Sequence, residues 1–582
     1  MTESRSHWAS LIKRRLDVLR RKEDQLALVL SLIVGAAVGL VVVAFILLTG
    51  RLAARMYPAG GAGWRRVAVP LLGSLATGFL LSRYFPFARG SGIPQTKFAL
   101  FVGDGRIALR TVVGKFLCCS TSLASGIALG REGPSVQIGA GLASVIGRKL
   151  GLSKDQVKAL VPMGCAAALA AAFNTPIAAV LFTLEEIMGD LHATVLVTAV
   201  LSSATSWMVL HLFLGDSPLF RVAGYQLVHP LEFGIYALLG VIGGLASVVF
   251  VKLLLGLRAW FLRLPRRTLW LQPAVGGLTV GIMGYFVPEV LGVGYGYVEK
   301  VLNGDVVLQV AVLLVVLKIV ATAVCYSSGN AGGIFGPSLF IGSMLGAAVG
   351  SVAHGLLPAY TAGPGAYALV GMGALFAGII RTPFTSVIMI FELTRDYTII
   401  VPLMIANMTA FFISQRLQKE PIYEALSRQE GVHLPAGAAR RQSRGPTVAD
   451  AMHPDPVIFS PAATVATVLE RVGPADGEAW PVADADGLHA MVQRGELEAA
   501  RLRGFAAQTL RGLLREAHGR YTEGEEDFPH VHADHPLSAA LERMGSSGLR
   551  VLPVVSRANI RQLVGVVVLD EVIKAYGIAH SA

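Results

Sequence analysis

Charge is scarce in these 582 residues: Asp, Glu, Lys and Arg make up 15%, against about 25% in an ordinary soluble domain. Apolar residue types reach 53%, and the mean hydropathy is +0.59. That balance excludes a chain that is soluble throughout and predicts a polytopic membrane protein. Cysteine is rarer still. Cys118, Cys119, Cys165 and Cys325 all lie in apolar stretches without metal-ligand spacing, two of them adjacent, and they read as buried free thiols. No metal site is expected. No cleavable leader is expected either, because the first apolar run, Leu26–Thr49, is too long and follows a charged segment. Acidic residues number 38 against 50 basic ones, a net charge of +12. The basic excess sits in the first 25 residues, in short loops and around 440–444, which fits the positive-inside rule and contact with anionic lipid. No aromatic-basic module supports nucleic-acid binding.

What is present is a long series of apolar pieces. Residues 1–25 place Trp8, Leu11, Ile12, Leu16 and Leu19 on one helical face with Lys13, Arg14 and Arg15 elsewhere. They predict an amphipathic helix on the membrane surface, or a cytosolic docking helix. Leu26–Thr49 and Val67–Leu81 are spans. Beyond them, pieces of 10–20 residues are broken by Gly, Pro and isolated charges, interrupted by longer stretches at 232–256, 273–294 and 308–327. Broken backbone at membrane depth is tolerated only where protein or a water-filled path surrounds it. The pattern therefore predicts a transporter core rather than a plain bundle.

An internal repeat supports that reading. Gly130-Arg131-Glu132-Gly133-Pro134 recurs as Gly333-Ile334-Phe335-Gly336-Pro337. Thr175-Pro176, Val180 and Glu185 recur at Thr382-Pro383, Val387 and Glu392, each 207 residues later. The halves are expected at about 66–215 and 270–430. A Pro/Gly/Ala/Arg linker follows at 431–446, and the composition turns soluble from 447 to 582. A smaller repeat appears there: Leu469-Glu470-Arg471 with Pro481-Val482 recurs as Leu541-Glu542-Arg543 with Pro553-Val554. Each copy reads strand–helix–strand–strand–helix.

Three Gly/Pro turns carry the chemistry. An ionisable residue at membrane depth costs about 2.5–3.5 kcal/mol on insertion scales, so Glu132 is a functional candidate. Pro134 favours a helix start, and Gly133 lets bare backbone approach a ligand. A helix N-terminus with free N–H groups attracts an anion. A carboxylate there is the resident anion or a gate that competes with one. Gly90-Ser91-Gly92-Ile93-Pro94 repeats the design and adds a hydroxyl donor at Ser91. Gly333–Pro337 offers the backbone N–H groups of Ile334 and Phe335 beside large apolar side chains. Glu185 and Glu186 project about 100° apart on a helix. One of them is expected to make a structural contact while the other faces a proton path. Lys115 is expected to snorkel or to pair structurally. These segments hold no histidine, no cysteine–base couple and no ligand cluster, so an intramembrane enzyme is not the reading.

Together, Gly90–Pro94, Gly130–Pro134, Gly333–Pro337 and Tyr423 in Glu420-Pro421-Ile422-Tyr423 resemble the four signatures of CLC chloride channels and chloride/proton antiporters. The resemblance covers roughly 26–430, and 447–582 resembles a tandem CBS pair. It implies an all-α membrane domain of tilted, broken helices in two inverted halves, with a small cytosolic α/β CBS pair. It also implies a homodimer with one pore per subunit, lying in the cell membrane with its N-terminus and CBS region cytosolic. By motif, Ser91 and Tyr423 would donate hydroxyls to chloride, with the Ile334 and Phe335 amides completing that site. Glu132 would be the gating glutamate and Glu186 the internal proton-transfer glutamate. The latter position is typically apolar in passive channels of the family, so the implied function is chloride/proton antiport, with a voltage- or pH-gated passive channel as the alternative. In the CBS pair, the places of a nucleotide-contacting Ser/Thr-x-x-Asp hold Gln493 to Glu496 and Val568 to Glu571. Both lack the hydroxyl and carry Glu for Asp. That departure weakens an adenosine-nucleotide site and leaves a structural or dimerising role open, and no cofactor is expected.

Overall fold

The computed structural model describes residues 23–432 apart from 59, 190–192, 223 and 226, and residues 447–575 apart from 474–476 and 519–527. The helix expected at 1–25 and the linker expected at 431–446 lie almost wholly outside the described residues. The chain divides into two compact units, Met1–Leu426 and Ser427–Ala582.

The first unit is all-helical. It opens with α1 (Glu23–Met56), whose 34 residues span about 51 Å at ~1.5 Å per residue. That exceeds the ~30 Å hydrocarbon core, so the helix must tilt or project. A first series follows: α2 (Arg65–Arg83), α3 (Ile93–Phe101), α4 (Leu109–Ala124), α5 (Glu132–Lys149), α6 (Lys154–Phe173), α7 (Pro176–Phe182) and α8 (Ala193–Leu214). After α9 (Glu232–Leu262) the same succession of long and short helices returns. It runs through α10 (Gln272–Phe286), α11 (Tyr295–Leu302), α12 (Leu308–Ser327), α13 (Phe335–Leu356), α14 (Pro364–Ile380), α15 (Pro383–Thr394) and α16 (Ile400–Leu417). The last helix, α17 (Ile422–Gln429), begins in this unit and runs past its boundary at Leu426. Seven of the described helices are long and apolar enough to cross a membrane.

The breaks have local causes that recur in both series. Asn174 and Arg381 take left-handed conformations (φ 61° and 67°) at the C-termini of α6 and α14. Each is followed by Thr-Pro, which restarts a helix in a new direction. The packing recurs too. A Cβ on Gly139 of α5 would lie 2.3 Å from the Gly164 carbonyl oxygen of α6. A Cβ on Gly342 of α13 would lie 2.4 Å from that of Gly371 in α14. Both helix pairs therefore meet backbone to backbone, as small residues allow in membranes.

The second unit holds two α/β modules. The first comprises α18 (Val465–Arg471), β2 (Ala479–Asp484), β3 (Gly487–Gln493) and α19 (Arg494–Leu502), followed by α20 (Leu510–His518). The second comprises α21 (Leu537–Ser547), β4 (Val551–Val555), β5 (Leu563–Val568) and α22 (Leu569–Ala575). The expected leading strands are reduced to single parallel bridges, Phe459 to Val482 and Val531 to Val554. The strand that precedes both modules, β1 (Met452–His453), pairs antiparallel with β5 of the second. Its partner therefore lies more than 110 residues further along the chain. Glu496 accepts the Gln493 N–H at 3.0 Å and so closes the start of its own helix, α19. The second module also buries a row of imidazoles: His530, His532 and His535 are all buried, with ring centroids 5.2 and 4.9 Å apart along the row. Burial, then the Arg557 guanidinium, pushes His532 down to about 2 and His535 to about 3.

Candidate functional site

The three turns meet in the middle of the first unit. Gly130 and Gly333 exchange both backbone hydrogen bonds at 2.7 Å, an antiparallel bridge between the two series. Such mutual exchange is what a two-fold relation between the halves produces. Gly92 (φ +100°) sits so close to the Gly133 carbonyl that a Cβ would lie 2.8 Å from its oxygen. Only glycine combines that conformation with that approach. Lys115 is fully buried in α4 and donates to the carbonyls of Ala88 (3.1 Å) and Gly90 (2.6 Å). It pins the Ser91 turn from behind and does not snorkel. Lys318 of α12 does the same for Val290 (2.9 Å) and Gly292 (2.6 Å). That marks Gly292-Val293-Gly294 as the second-series counterpart of the Ser91 turn.

Ser91 is fully buried, and its hydroxyl has no hydrogen-bond partner among the described residues. Ile334 and Phe335 begin α13, whose first N–H groups have no intrahelical acceptor. The Phe335 ring is the hub of an aromatic cluster, 5.0 Å from Phe182, 5.3 Å from Phe376, 6.1 Å from Phe173 and 6.2 Å from Tyr423. Tyr423, at the start of α17, is buried and lies within electrostatic reach of both Glu132 and Glu186. The local chemistry is a dry aromatic wall with hydroxyls and helix-start amides beside it, which suits a partly dehydrated anion.

Glu132 is fully buried. One carboxylate oxygen accepts the Gly336 N–H at 3.3 Å, and the other accepts the Tyr295 hydroxyl. The carboxylate therefore occupies the place before the N-terminus of α13 where an anion is favoured. Arg131 places its guanidinium 5.8 Å from the centre of the Tyr295 ring.

The Glu185/Glu186 pair sits on a π-helical turn, Thr183–Met188, rather than on regular α-helix. Such turns recur at functional sites. The two carboxylates part company there. Glu185 accepts the Thr385 N–H (2.9 Å) and hydroxyl (2.7 Å) at the start of α15. Reciprocally, Glu392 at the end of α15 accepts the N–H groups of Ile177 (3.0 Å) and Ala178 (2.7 Å) at the start of α7. Each half thus caps a helix of the other. Glu186 points elsewhere and forms a 2.6 Å ion pair with Lys97, both side chains being buried.

Lys97, Tyr295 and Lys318 escaped the sequence reading. A lone lysine inside the apolar piece 94–104 was the signal for Lys97. For Tyr295 it was the match of Gly292–Gly294 to Gly90–Gly92.

A family model described as voltage gated chloride channel matches residues 73–415, more than half of the chain. The chain belongs to the CLC chloride channel family. A CBS domain model matches 525–578, within the second unit of this CLC protein. Among relatives, a provisionally named ClcB-like chloride channel protein of Ralstonia nicotianae is 34% identical over 385 residues, 65% of this chain and 89% of that protein. An H(+)/Cl(-) exchange transporter, ClcA, of Vibrio campbellii is 34% identical over 354 residues, 60% and 76% respectively. The crystal structure of a slow cyanobacterial Cl−/H+ antiporter aligns with a TM-score of 0.64 at 26% identity, covering 69% of this chain and 97% of that one. A eukaryotic CLC transporter structure aligns over 94% of this chain with a TM-score of 0.62. At 21% identity it speaks to the fold alone. This CLC chain is therefore a membrane transport protein of mostly helical fold with a C-terminal CBS region.

Proposed function

We propose that this CLC protein exchanges chloride for protons. The observation that carries the reading is Glu132, a buried carboxylate seated against the Gly336 amide at a helix start. A carboxylate in an anion's place competes with that anion, and protonation removes the competition. One group therefore couples two ions of opposite sign. Chloride would lose hydration against the Phe335 wall and take hydrogen bonds from Ser91, Tyr423 and the Ile334 and Phe335 amides. Glu132 would alternate between filling the anion position and carrying a proton away. Glu186, which shares Tyr423 as an electrostatic neighbour with Glu132, would pass protons between the gate and the cytosolic side. The protein would work as a homodimer in the cell membrane, with its N-terminus and CBS region cytosolic, the CBS pair serving assembly rather than nucleotide binding.

The test is reconstitution in liposomes under a chloride gradient. Glu132→Gln should abolish proton movement and keep chloride flux; protons that still follow chloride in that variant would overturn the reading. The Lys97–Glu186 ion pair favours a passive chloride channel as the second reading, because the carboxylate that would relay protons is already engaged by an ammonium 2.6 Å away. A channel's reversal potential would ignore a pH gradient.

A further inference from the structure

We propose that Tyr295 is a latch that holds Glu132 in the anion path and sets the pH at which the gate opens. The inference rests on Glu132 being the gate, and it adds a positioning residue from the opposite half of the fold.

Tyr295 is the first residue of α11, delivered by the Gly292-Val293-Gly294 turn, whose glycines take φ +62° and +87°. Its counterpart behind the Ser91 turn is Ile93, which carries no donor. The two halves therefore build the same turn and place different chemistry after it. The Tyr295 hydroxyl donates to one Glu132 oxygen while the Gly336 N–H donates to the other. The ring is held from two sides, by Phe220 edge-on at 5.6 Å and by the Arg131 guanidinium at 5.8 Å. A Cβ on Gly336 would lie 3.0 Å from the Tyr295 hydroxyl and 3.4 Å from the Glu132 carboxylate. Phenol, amide and carboxylate thus form one close-packed triangle at the head of α13.

A phenol donates strongly to an ionised carboxylate and weakly to a protonated carboxyl. The contact therefore favours the state in which Glu132 fills the anion position. A chloride ion arriving at the Gly336 amide must displace the carboxylate and break the phenol bond as well. The titratable and charged groups facing Glu132 are Arg131 on its own turn, Tyr295 from α11 and Tyr423 from α17. Glu186 and Tyr326 reach the site through Tyr423. Among these, Tyr295 is the group that hydrogen-bonds the carboxylate directly.

The experiment is Tyr295→Phe, which keeps the ring and its packing, in reconstituted full-length protein with chloride efflux measured across pH. Without the phenol, Glu132 takes up its proton at lower proton activity, so the midpoint of flux against pH should move upward by roughly one pH unit. In the Glu132→Gln background the same substitution should produce no shift of flux with pH, because the titrating carboxyl is gone. A Tyr295→Phe profile that overlays the parent's would overturn the latch, and so would an equal change in flux with and without Glu132. The two readings fail separately. Proton movement in Glu132→Gln judges antiport, whereas the pH midpoint of Tyr295→Phe judges the latch whether the protein exchanges ions or merely conducts them.

Discussion

The Gly130–Pro134 and Gly333–Pro337 turns share their glycines, their proline and their place before a long helix, yet one carries Arg131-Glu132 where the other carries Ile334-Phe335. The same division runs through both halves. Lysines pinning a turn (Lys115, Lys318), carboxylates capping the opposite half (Glu185, Glu392) and glycines joining helices (Gly139 with Gly164, Gly342 with Gly371) occur twice. Ser91, Glu132, Glu186 and Lys97 have no chemical twin: Val293, Phe335, Leu393 and Glu299 stand at the matching places. What repeats builds the scaffold, and what differs makes the site.

The largest test of that division is Lys97→Met. The first half buries Glu186 in an ion pair with Lys97, whereas the second buries Leu393 and leaves Glu299, at the place of Lys97, half-buried and accepting the Arg221 N–H at 3.2 Å. Removing one partner of a buried pair costs about 3–5 kcal/mol, so the detergent-solubilised protein should melt several degrees lower. Replacing both, Lys97→Met with Glu186→Leu, should restore most of the loss. An unchanged melting temperature in the single variant would break the comparison.

The C-terminal modules offer a second contrast. His530, His532 and His535 stand where the first module has Ile458, Ser460 and Ala463. Depression of His532 to about 2 and His535 to about 3 from 6.5 means that the folded module binds fewer protons than the unfolded chain. Its stability is full above pH 6.5 and falls as pH drops toward 3, by about 1.4 kcal/mol per pH unit for each histidine. Hydrogen exchange of the full chain, corrected for intrinsic rates, should show β4 and β5 losing protection at pH 5 while β2 and β3 keep theirs. Equal loss in both modules would remove the histidines as the cause.

The smallest effects should be equal. Glu185→Gln and Glu392→Gln each weaken one charge-assisted cap and should cost about 1–2 kcal/mol apiece, read as matching falls in melting temperature, with proton coupling intact. A coupling defect in Glu185→Gln would move that residue from scaffold to site.

The sequence made the turns legible because Gly and Pro mark backbone that no other residue can supply. Glu132 stood out because charge at membrane depth is costly. The π-turn under Glu185 and Glu186 was hidden, since no residue type signals the extra residue in a helical turn; that the two carboxylates part was expected from their angular spacing, but Thr385 and Lys97 as their partners were not. Tyr295 was hidden for another reason. A tyrosine at a helix start in apolar sequence is ordinary, and its meaning depends on a carboxylate 163 positions earlier. The pairing of β1 with β5 is likewise a fact of contact across distance, invisible to local pattern.

The reciprocal caps also order events during synthesis. When α7 leaves the ribosome, the carboxylate that will satisfy its first N–H groups, Glu392, lies 215 residues ahead in the chain. At ~5–20 residues per second that is a wait of roughly 10–40 s. A half-made protein therefore holds a helix start whose donors lack their carboxylate until the second half arrives. Neither half carries its own cap, so the two are completed together.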